Sequence, residues 1–171
     1  MSKKRNTEEV RLQFKPEDIR MLFVGESAPA SGVFFYCGNS GFTRYTRRAF
    51  ETGLNRSFAS NESFLSFFKE TGCWLDDISY VPVNKLSPTD RKTHLKKQTP
   101  AFAQRLNAAN PTYLIVTLKS ITSYVDSALE QVAVRPIVRY LPFPGNSHQT
   151  KYMNQLCEIL KEANGNGVLS L

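Results

Sequence analysis

Four short apolar runs that alternate with helical patterns limit what this chain can fold into. The clearest covers residues 113–118 and is apolar on both faces, which is typical of a strand buried in a parallel sheet. The others cover residues 21–24, 78–83 and 136–141. Because parallel strands are joined by crossover helices, this order predicts an α/β fold. We expect a three-layer sandwich, with a central four-stranded, mostly parallel sheet and helices on both faces.

Helical patterns fill the intervals between these runs. A helix is predicted over residues 43–53, and a second begins after Ser60 or Asn61 and stops at Gly72. Residues 85–97 are expected to form an exposed loop or a short helix, followed by a helix over 100–109 that Thr99 caps. Two further helices are predicted near residues 121–132 and 150–163. Residues 1–19 are expected to be a partly flexible basic arm of a single domain over 1–171.

The charge of the chain points to polyanionic partners. Its 171 residues carry a formal net charge of +7, which favours nucleic acid over other partners. No apolar run approaches the roughly 20 residues that span a bilayer. We therefore expect a monomer that binds DNA, duplex or single-stranded, and not a membrane.

The cysteines argue for reduced thiols and a cytoplasmic location. Cys37, Cys73 and Cys157 are far apart, and no C-x-x-C spacing suggests zinc. The sequence has no P-loop, no G-x-G-x-x-G and no cluster of metal ligands, so no cofactor and no metal are expected.

The segment that follows the first strand is a candidate binding site. The strand ends at Gly25, and Glu26 and Ser27 come next in a turn of small residues. Three aromatic residues follow, namely Phe34, Phe35 and Tyr36. Ligands of parallel α/β sheets bind beyond the carboxyl ends of the strands. A flat ligand such as a nucleobase could stack there, although each of these residues also suits a structural role.

Two other predicted strand ends carry polar residues. Asn84 and Lys85 come directly after the run at residues 78–83. A polar loop follows the last strand, and it contains Pro144, Gly145, Asn146, Ser147 and His148. If the strands are parallel, all three strand ends lie at the same edge of the sheet.

Basic side chains form two groups that would supply phosphate contacts or a solvated surface. The first group lies on the predicted helix at residues 43–53 and consists of Arg44, Arg47 and Arg48. The second lies in the segment at residues 85–97 and consists of Lys85, Arg91, Lys92, Lys96 and Lys97. His94 belongs to this basic segment, and a surface position is favoured for it over a role as a base.

The two strand-end motifs resemble those of the uracil-DNA glycosylase superfamily. Gly25-Glu-Ser-Ala-Pro29 is similar to the family's first motif, closest to its G-E-A-P-G form, and Phe143-Pro-Gly-Asn146 takes the place of the H-P-S motif. The resemblance implies base flipping and removal of uracil or another deaminated or damaged base, in the service of DNA repair. It implies Glu26 and His148 as catalytic residues. It also implies a base-binding set of Gly25, Ser27, Phe34, Phe35, Tyr36 and Asn84, with the loop at 144–147 against DNA.

The chain departs from the family pattern at two positions. Phe143 replaces the histidine of the second motif, so a donor to the leaving base is missing there, and His148 would have to replace it. Val83 aligns with the asparagine that reads the base, and Asn84 is one residue away. These departures leave a second hypothesis open, which is a catalytically silent protein that binds nucleic acid or a nucleotide. A phosphate- or nucleotide-processing enzyme is a weaker third, because no phosphate-binding glycine loop is present.

Overall fold

The computed structural model describes residues 6–169 and 171, and a four-stranded sheet lies at its centre. The strands are β1 (Met21–Ser27), β2 (Cys73–Ser79), β3 (Tyr113–Val116) and β4 (Ile137–Tyr140). They lie in the order β2-β1-β3-β4, and every neighbouring pair is parallel. The prediction of an α/β fold around a four-stranded sheet is confirmed, and the sheet is parallel throughout.

Six helices surround the sheet: α1 (Thr7–Gln13), α2 (Gly41–Gly53), α3 (Asn61–Glu70), α4 (Pro88–Ala109), α5 (Thr122–Leu129) and α6 (Gln149–Gly165). Helix α2 packs against α3 and α6, whereas α4 packs against α5. The chain moves one way across the sheet from β1 to β2 and the other way from β2 to β4. Because such crossovers are right-handed, the two groups of helices cover opposite faces. In the part of the chain that is described, no helix is both long and apolar enough to cross a membrane.

Much of the aromatic content of the chain is in the core. Phe23, Phe35, Phe50, Phe64 and Phe68 are all buried, and their rings meet at centroid distances between 5.3 and 6.4 Å. Such pairs add about 0.5–1.5 kcal/mol each beyond the burial of their area. Phe35, which was predicted to stack on a ligand, is thus anchored in this cluster.

The predicted position of the second strand is wrong. The strand was expected over residues 78–83, but β2 is Cys73–Ser79 and all of its residues are buried. The acids Asp76 and Asp77 interrupt the apolar pattern, so the segment did not look like a buried strand. Both are neutralised by arginines that approach from elsewhere in the chain. Burial of paired charges thus overrides the local hydrophobic signal.

The predicted division of residues 85–109 into an exposed loop or short helix over 85–97 and a separate helix over 100–109 is also wrong. Helix α4 runs without a break over Pro88–Ala109, and Ser87 caps it by accepting a hydrogen bond from the Asp90 amide at 3.1 Å. Thr99 is not a cap, because its hydroxyl donates to the Leu95 carbonyl at 2.9 Å inside the helix. Pro100 lies in the interior of the helix. Burial of the apolar stripe on both sides of Pro100 outweighs the hydrogen bond that a proline cannot donate.

The N-terminal region contributes to the fold. It was treated as a partly flexible arm over residues 1–19, but Thr7–Gln13 form helix α1. Arg11 on this helix is completely buried, and its Nη1 donates to the Leu75 carbonyl of β2 at 3.0 Å. Residues 1–5 of the expected arm lie outside the described residues.

Candidate active site

A cavity of about 370 Å³ opens at the carboxyl edge of the sheet. The crossover that leaves β1 runs to one side of the sheet, and the crossover that leads to β3 runs to the other. A crevice therefore forms at the carboxyl ends of these two central strands. The cavity is lined by the end of β1 and its loop, the start of α2, and parts of the other three strands or the segments that follow them. This is the place where ligands bind in open α/β sheets.

Segments that are far apart in the sequence meet in this cavity. Residues 25–29 and 33–35 line one side, and Phe143 and Pro144 line another. Thr117 and Leu118, which follow β3, complete the wall between them. The structure therefore brings together the two loops from which the sequence motifs were drawn.

Glu26 lines the cavity but already has a charged partner. Its Oε1 accepts a hydrogen bond from Arg91 Nε at 2.9 Å, and its Oε2 forms an ion pair with Arg91 Nη2. The Glu26 side chain is 10% exposed, whereas that of Arg91 is 40% exposed. Arg91, which was predicted to contact DNA, therefore binds the carboxylate that was predicted to act in catalysis.

A second carboxylate, Asp77, lies in the floor of the cavity. Its side chain is 6% exposed, and its Oδ2 accepts a hydrogen bond from Arg11 Nη2 at 2.6 Å. No described residue donates to Oδ1. Because no fully buried side-chain polar atom lacks a partner in the described part of the chain, Oδ1 must be open to the cavity. Burial raises the pKa of Asp77 above its usual range, while the charge of Arg11 opposes that rise.

Asp77 belongs to a buried network of charges between α1, β2 and α4. Arg105 Nε donates to Asp76 Oδ2 at 2.8 Å, and Arg105 Nη2 donates to the Asp77 carbonyl at 2.7 Å. Arg11 also contacts Glu8, with Nε 3.1 Å from Oε2. Burial acts to lower the pKa of Arg11. The negative charges of Asp77, Asp76 and Glu8 outweigh that effect, so the pKa lies above its ordinary value. The orientation of Asp77 is thus determined by groups from three elements.

The aromatic residues of the site divide into two kinds. Phe34 and Phe35 line the cavity, whereas Tyr36 does not, because its hydroxyl exchanges hydrogen bonds with the Leu75 backbone. Phe42 and Phe143 also line the cavity, and their ring centroids are 5.3 Å apart. Phe143 is 42% exposed, so its ring stands at the rim where a ligand would enter.

The remaining predicted base-binding and catalytic residues occupy different positions. Ser27 lines the cavity, and its hydroxyl accepts a hydrogen bond from the Val83 amide at 3.2 Å. Asn84 is exposed five residues after β2 ends, and its Oδ1 accepts from the Ala30 amide at 3.2 Å. His148 is exposed at the start of α6, outside the cavity lining. The structure therefore does not bring Asn84 and His148 into the cavity.

The loop after β4 forms a tight turn with a polar tip. The Gly145 amide donates to the Phe143 carbonyl at 2.8 Å, and the His148 amide donates to the Gly145 carbonyl at 3.0 Å. Asn146 and Ser147 are exposed, with φ angles of 48° and 69°. Non-glycine residues in this left-handed region store strain, which is common at functional loops.

Six of the cations that were predicted to contact DNA are exposed, and they lie on segments that leave the carboxyl edge of the sheet. They are Arg44 and Arg48 on α2, Lys85 before α4, and Lys92, Lys96 and Lys97 in the first half of α4. Arg47 differs from them, because it pairs with Glu51 at 3.0 Å and donates to the Phe58 carbonyl. Arg47 thus joins α2 to the segment before α3, and its predicted contact with DNA stays a prediction.

Comparison with models of known protein families found no match to this chain, and a search of curated proteins found none either. In the described residues, no group of three or more His, Cys, Asp or Glu side chains is arranged to hold a metal ion.

Sequence reasoning missed three residues of the site. Asp77 was hidden in a strand that was placed five residues too late, and Arg11 lay in the presumed arm. Phe42 lies directly before the helix predicted over residues 43–53, and no role was predicted for it. One signal was present for Asp77, since adjacent acids between apolar residues, as in Trp74-Leu-Asp-Asp-Ile78, indicate a buried acid that needs a partner.

Proposed function

We propose that this chain is a DNA glycosylase-like protein that takes a flipped uracil or another deaminated or damaged base into the cavity and excises it. The observation that carries the proposal is that the end of β1 and the loop after β4 line one cavity. A base-flipping protein needs a pocket for the extruded base and a loop beside the duplex. The two motifs that resemble the glycosylase superfamily supply these parts.

The lining of the cavity suits a planar heterocycle. Phe34, Phe35, Phe42 and Phe143 offer apolar surface, and the carboxylates of Glu26 and Asp77 are the charged groups. Stacking of a base on an aromatic side chain contributes about 1–3 kcal/mol. This contribution offsets part of the cost of unstacking the base from the duplex.

Hydrolysis of the N-glycosidic bond gives the carboxylates a defined task. The bond between the sugar carbon and the base nitrogen breaks, and its electron pair leaves with the base. Water adds its oxygen to the sugar carbon, and the proton that it loses ends on the departing base. Negative charge beside the sugar stabilises its oxocarbenium-like transition state. Glu26 is the proposed stabilising group, and its ion pair with Arg91 holds the carboxylate in place.

The exposed cations of α2 and α4 are the proposed contacts for the DNA backbone. Lys92, Lys96 and Lys97 lie on the half of α4 that follows the carboxyl end of β2, close to the mouth of the cavity. Arg44 and Arg48 lie one to two turns from Gly41 and Phe42, which line the cavity. The net charge of +7 agrees with a polyanionic partner.

Release of the base tests the proposed function directly. Labelled duplexes that carry uracil, hypoxanthine, xanthine or an alkylated base are incubated with the protein, and abasic sites are then cleaved by alkali. Strand breaks are expected with wild type and are expected to fall by at least about tenfold with Glu26→Gln. Glu62→Gln, which changes an exposed acid on α3, is the matched control. Equal strand breakage by wild type and Glu26→Gln would remove Glu26 from the mechanism, and no breakage on any substrate would refute excision.

A catalytically silent binding protein is the second candidate. It is favoured by the exposure of Asn84 and His148 outside the cavity and by the engagement of both Glu26 oxygens with Arg91. This candidate predicts DNA binding that weakens by orders of magnitude between about 50 and 200 mM salt, without release of a base. Affinity that does not respond to salt would exclude it.

We also propose that the protein works as a monomer in the reducing cytoplasm. Cys37, Cys73 and Cys157 are free thiols. Burial raises the pKa of Cys73 to about 12, which keeps it protonated and unreactive. Light scattering of the purified protein would test the monomer, and localisation of a tagged chain would test the compartment.

A further inference from the structure

We propose that Asp77 recognises the ligand of the cavity by accepting a hydrogen bond at Oδ1 from an unsubstituted ring N–H of a planar heterocycle. Arg11 is its positioning residue. This inference rests on the proposed function, since it assumes that a heterocycle enters the cavity, and it names the class of heterocycle. The class is that of lactam and imide rings such as uracil and hypoxanthine.

Asp77 Oδ1 is an acceptor in the cavity that has no protein partner. No residue in 6–169 or 171 donates to it, and it is accessible, since no fully buried side-chain polar atom in these residues lacks a partner. A ligand that displaces solvent from this oxygen loses affinity unless it supplies a donor in return. Since Asp77 lines the cavity, that donor is expected to come from whatever occupies the space.

The fixed orientation of Asp77 makes this oxygen selective. Arg11 Nη2 holds Oδ2 at 2.6 Å, while Arg11 Nη1 donates to the Leu75 carbonyl at 3.0 Å. The Arg11 guanidinium also lies 5.0 Å from the centroid of the Phe34 ring, which itself lines the cavity. A carboxylate that is held on one oxygen can present only the other, and that oxygen accepts hydrogen bonds but cannot donate.

Glu26 cannot take this role in the same way. Both of its oxygens already engage Arg91. The amide of Asn84, which the family resemblance implied as the reader of the base, is exposed and bonded to the Ala30 amide. Of the two carboxylates in the described cavity lining, Asp77 is therefore the one with an oxygen that has no protein partner.

Free bases test the inference without DNA. Isothermal titration measures the affinity of the intact chain for uracil, N1-methyluracil and 1,3-dimethyluracil. Uracil and N1-methyluracil both keep the N3–H, and we expect them to bind at least about tenfold more tightly than 1,3-dimethyluracil, which has no ring N–H and leaves Oδ1 unpaired. The comparison of uracil with N1-methyluracil controls for the bulk of a methyl group.

Asp77→Asn supplies the matched variant. The amide oxygen will turn to Arg11, which only donates, so the amide NH₂ will face the cavity. The preference for N1-methyluracil over 1,3-dimethyluracil is then expected to fall to about one. Asp18→Asn, at a side chain that is 74% exposed, is expected to keep the wild-type preference.

A further variant keeps the test decisive if Asp77→Asn does not fold. Arg11→Lys keeps the charge but loses the planar fork that fixes the carboxylate, so the preference is expected to fall several-fold. Circular dichroism and urea denaturation establish that each variant is folded.

The possible results separate this inference from the proposed function. If wild type binds none of these bases, or binds 1,3-dimethyluracil as tightly as N1-methyluracil, the inference is refuted even where base release from DNA is observed. If the preference exists and depends on Asp77 but no base is released from DNA, excision is refuted and recognition by Asp77 stands.

Discussion

The carboxylate of Asp77 lies so close to the α-carbon of Gly25 that a Cβ at position 25 would come within 2.2 Å of Oδ1. The two residues are partners across β1 and β2. Sequence analysis took Gly25 as the end of the strand, but β1 continues to Ser27. The glycine is therefore required because an acid packs against its face of the strand, and this packing places Asp77 in the cavity.

Gly25→Ala is expected to destabilise the protein by about 1–3 kcal/mol, because the methyl group forces the held carboxylate to move. Urea denaturation measures the free energy of unfolding. Gly165→Ala is the control, since nothing lies within 4 Å of a Cβ there, at the last residue of α6. The control is expected to change the free energy of unfolding by less than about 1 kcal/mol. Equal effects of the two substitutions would show that Asp77 does not pack against Gly25.

Phe143→Ala is expected to weaken binding to DNA that holds a single uracil by about 5- to 100-fold, because a half-exposed ring at the rim of the cavity is lost. The effect on the free energy of unfolding should be small, since 42% of this residue is already exposed. Fluorescence anisotropy with a labelled duplex measures the affinity. Val134→Ala removes another exposed apolar side chain and is expected to leave affinity unchanged. Unaltered affinity in Phe143→Ala would argue against this ring as a contact.

The lysines of α4 are expected to set the salt dependence of DNA binding. Replacing Lys92, Lys96 and Lys97 together by Ala should lower affinity, and it should reduce the slope of log affinity against log salt by about 0.9 for each lysine that contacts a phosphate. Anisotropy titrations between about 50 and 200 mM salt give both quantities.

A matched triple variant tests whether position matters or only charge. Three other lysines lie near the opposite, amino edge of the sheet, namely Lys15, Lys69 and Lys161. Lys15 precedes β1, and Lys69 precedes β2. Lys161 adjoins Glu162, which forms a hydrogen bond with Tyr113 at the start of β3. Their replacement by Ala is expected to leave the slope nearly unchanged. Equal losses in the two triple variants would show that net charge alone attracts the DNA.

Alkaline pH is expected to destabilise the protein. Burial raises the pKa of Cys73 from 9.0 to about 12, and it raises the pKa of Tyr36 and of Tyr152 above 10.0. A pKa that is higher in the folded state contributes stability that is complete below the unfolded pKa and is lost as the pH rises towards the folded value. Above pH 9 the free energy of unfolding should therefore fall, by about 1.4 kcal/mol per pH unit for each such group in its window.

Urea denaturation from pH 8 to pH 11 measures this fall. Tyr152→Phe removes one buried hydroxyl. Above pH 10 the free energy of unfolding should therefore fall less steeply in this variant, by the amount that one titrating group contributes. Between pH 7 and pH 8, where none of these groups titrates in either state, the variant and wild type should show the same pH dependence. A decline that is equally steep in the variant would contradict the assignment to Tyr152.

The order of strands and helices could be read from the sequence because it is encoded locally. The runs at the start of β1 and in β3 are apolar over consecutive residues, and Ser60 caps α3 through the Ser63 amide as its position predicts. Hydrophobic period and capping depend on neighbours in the chain, so a single sequence contains both signals. The meeting of the loops after β1 and β4 follows from the parallel order of the strands.

Sequence alone thus determined the α/β class, the edge of the sheet where a ligand would bind, and the positive charge of the chain. Only the tertiary structure decided which acid lies in the cavity, because Asp77 acquires its place from Arg11, 66 residues earlier in the chain. It also decided that helix α4 continues without a break across Pro100, since burial of apolar residues on both sides of the proline outweighs its tendency to end a helix. Burial and charge pairing across long separations depend on packing, and local patterns do not report them.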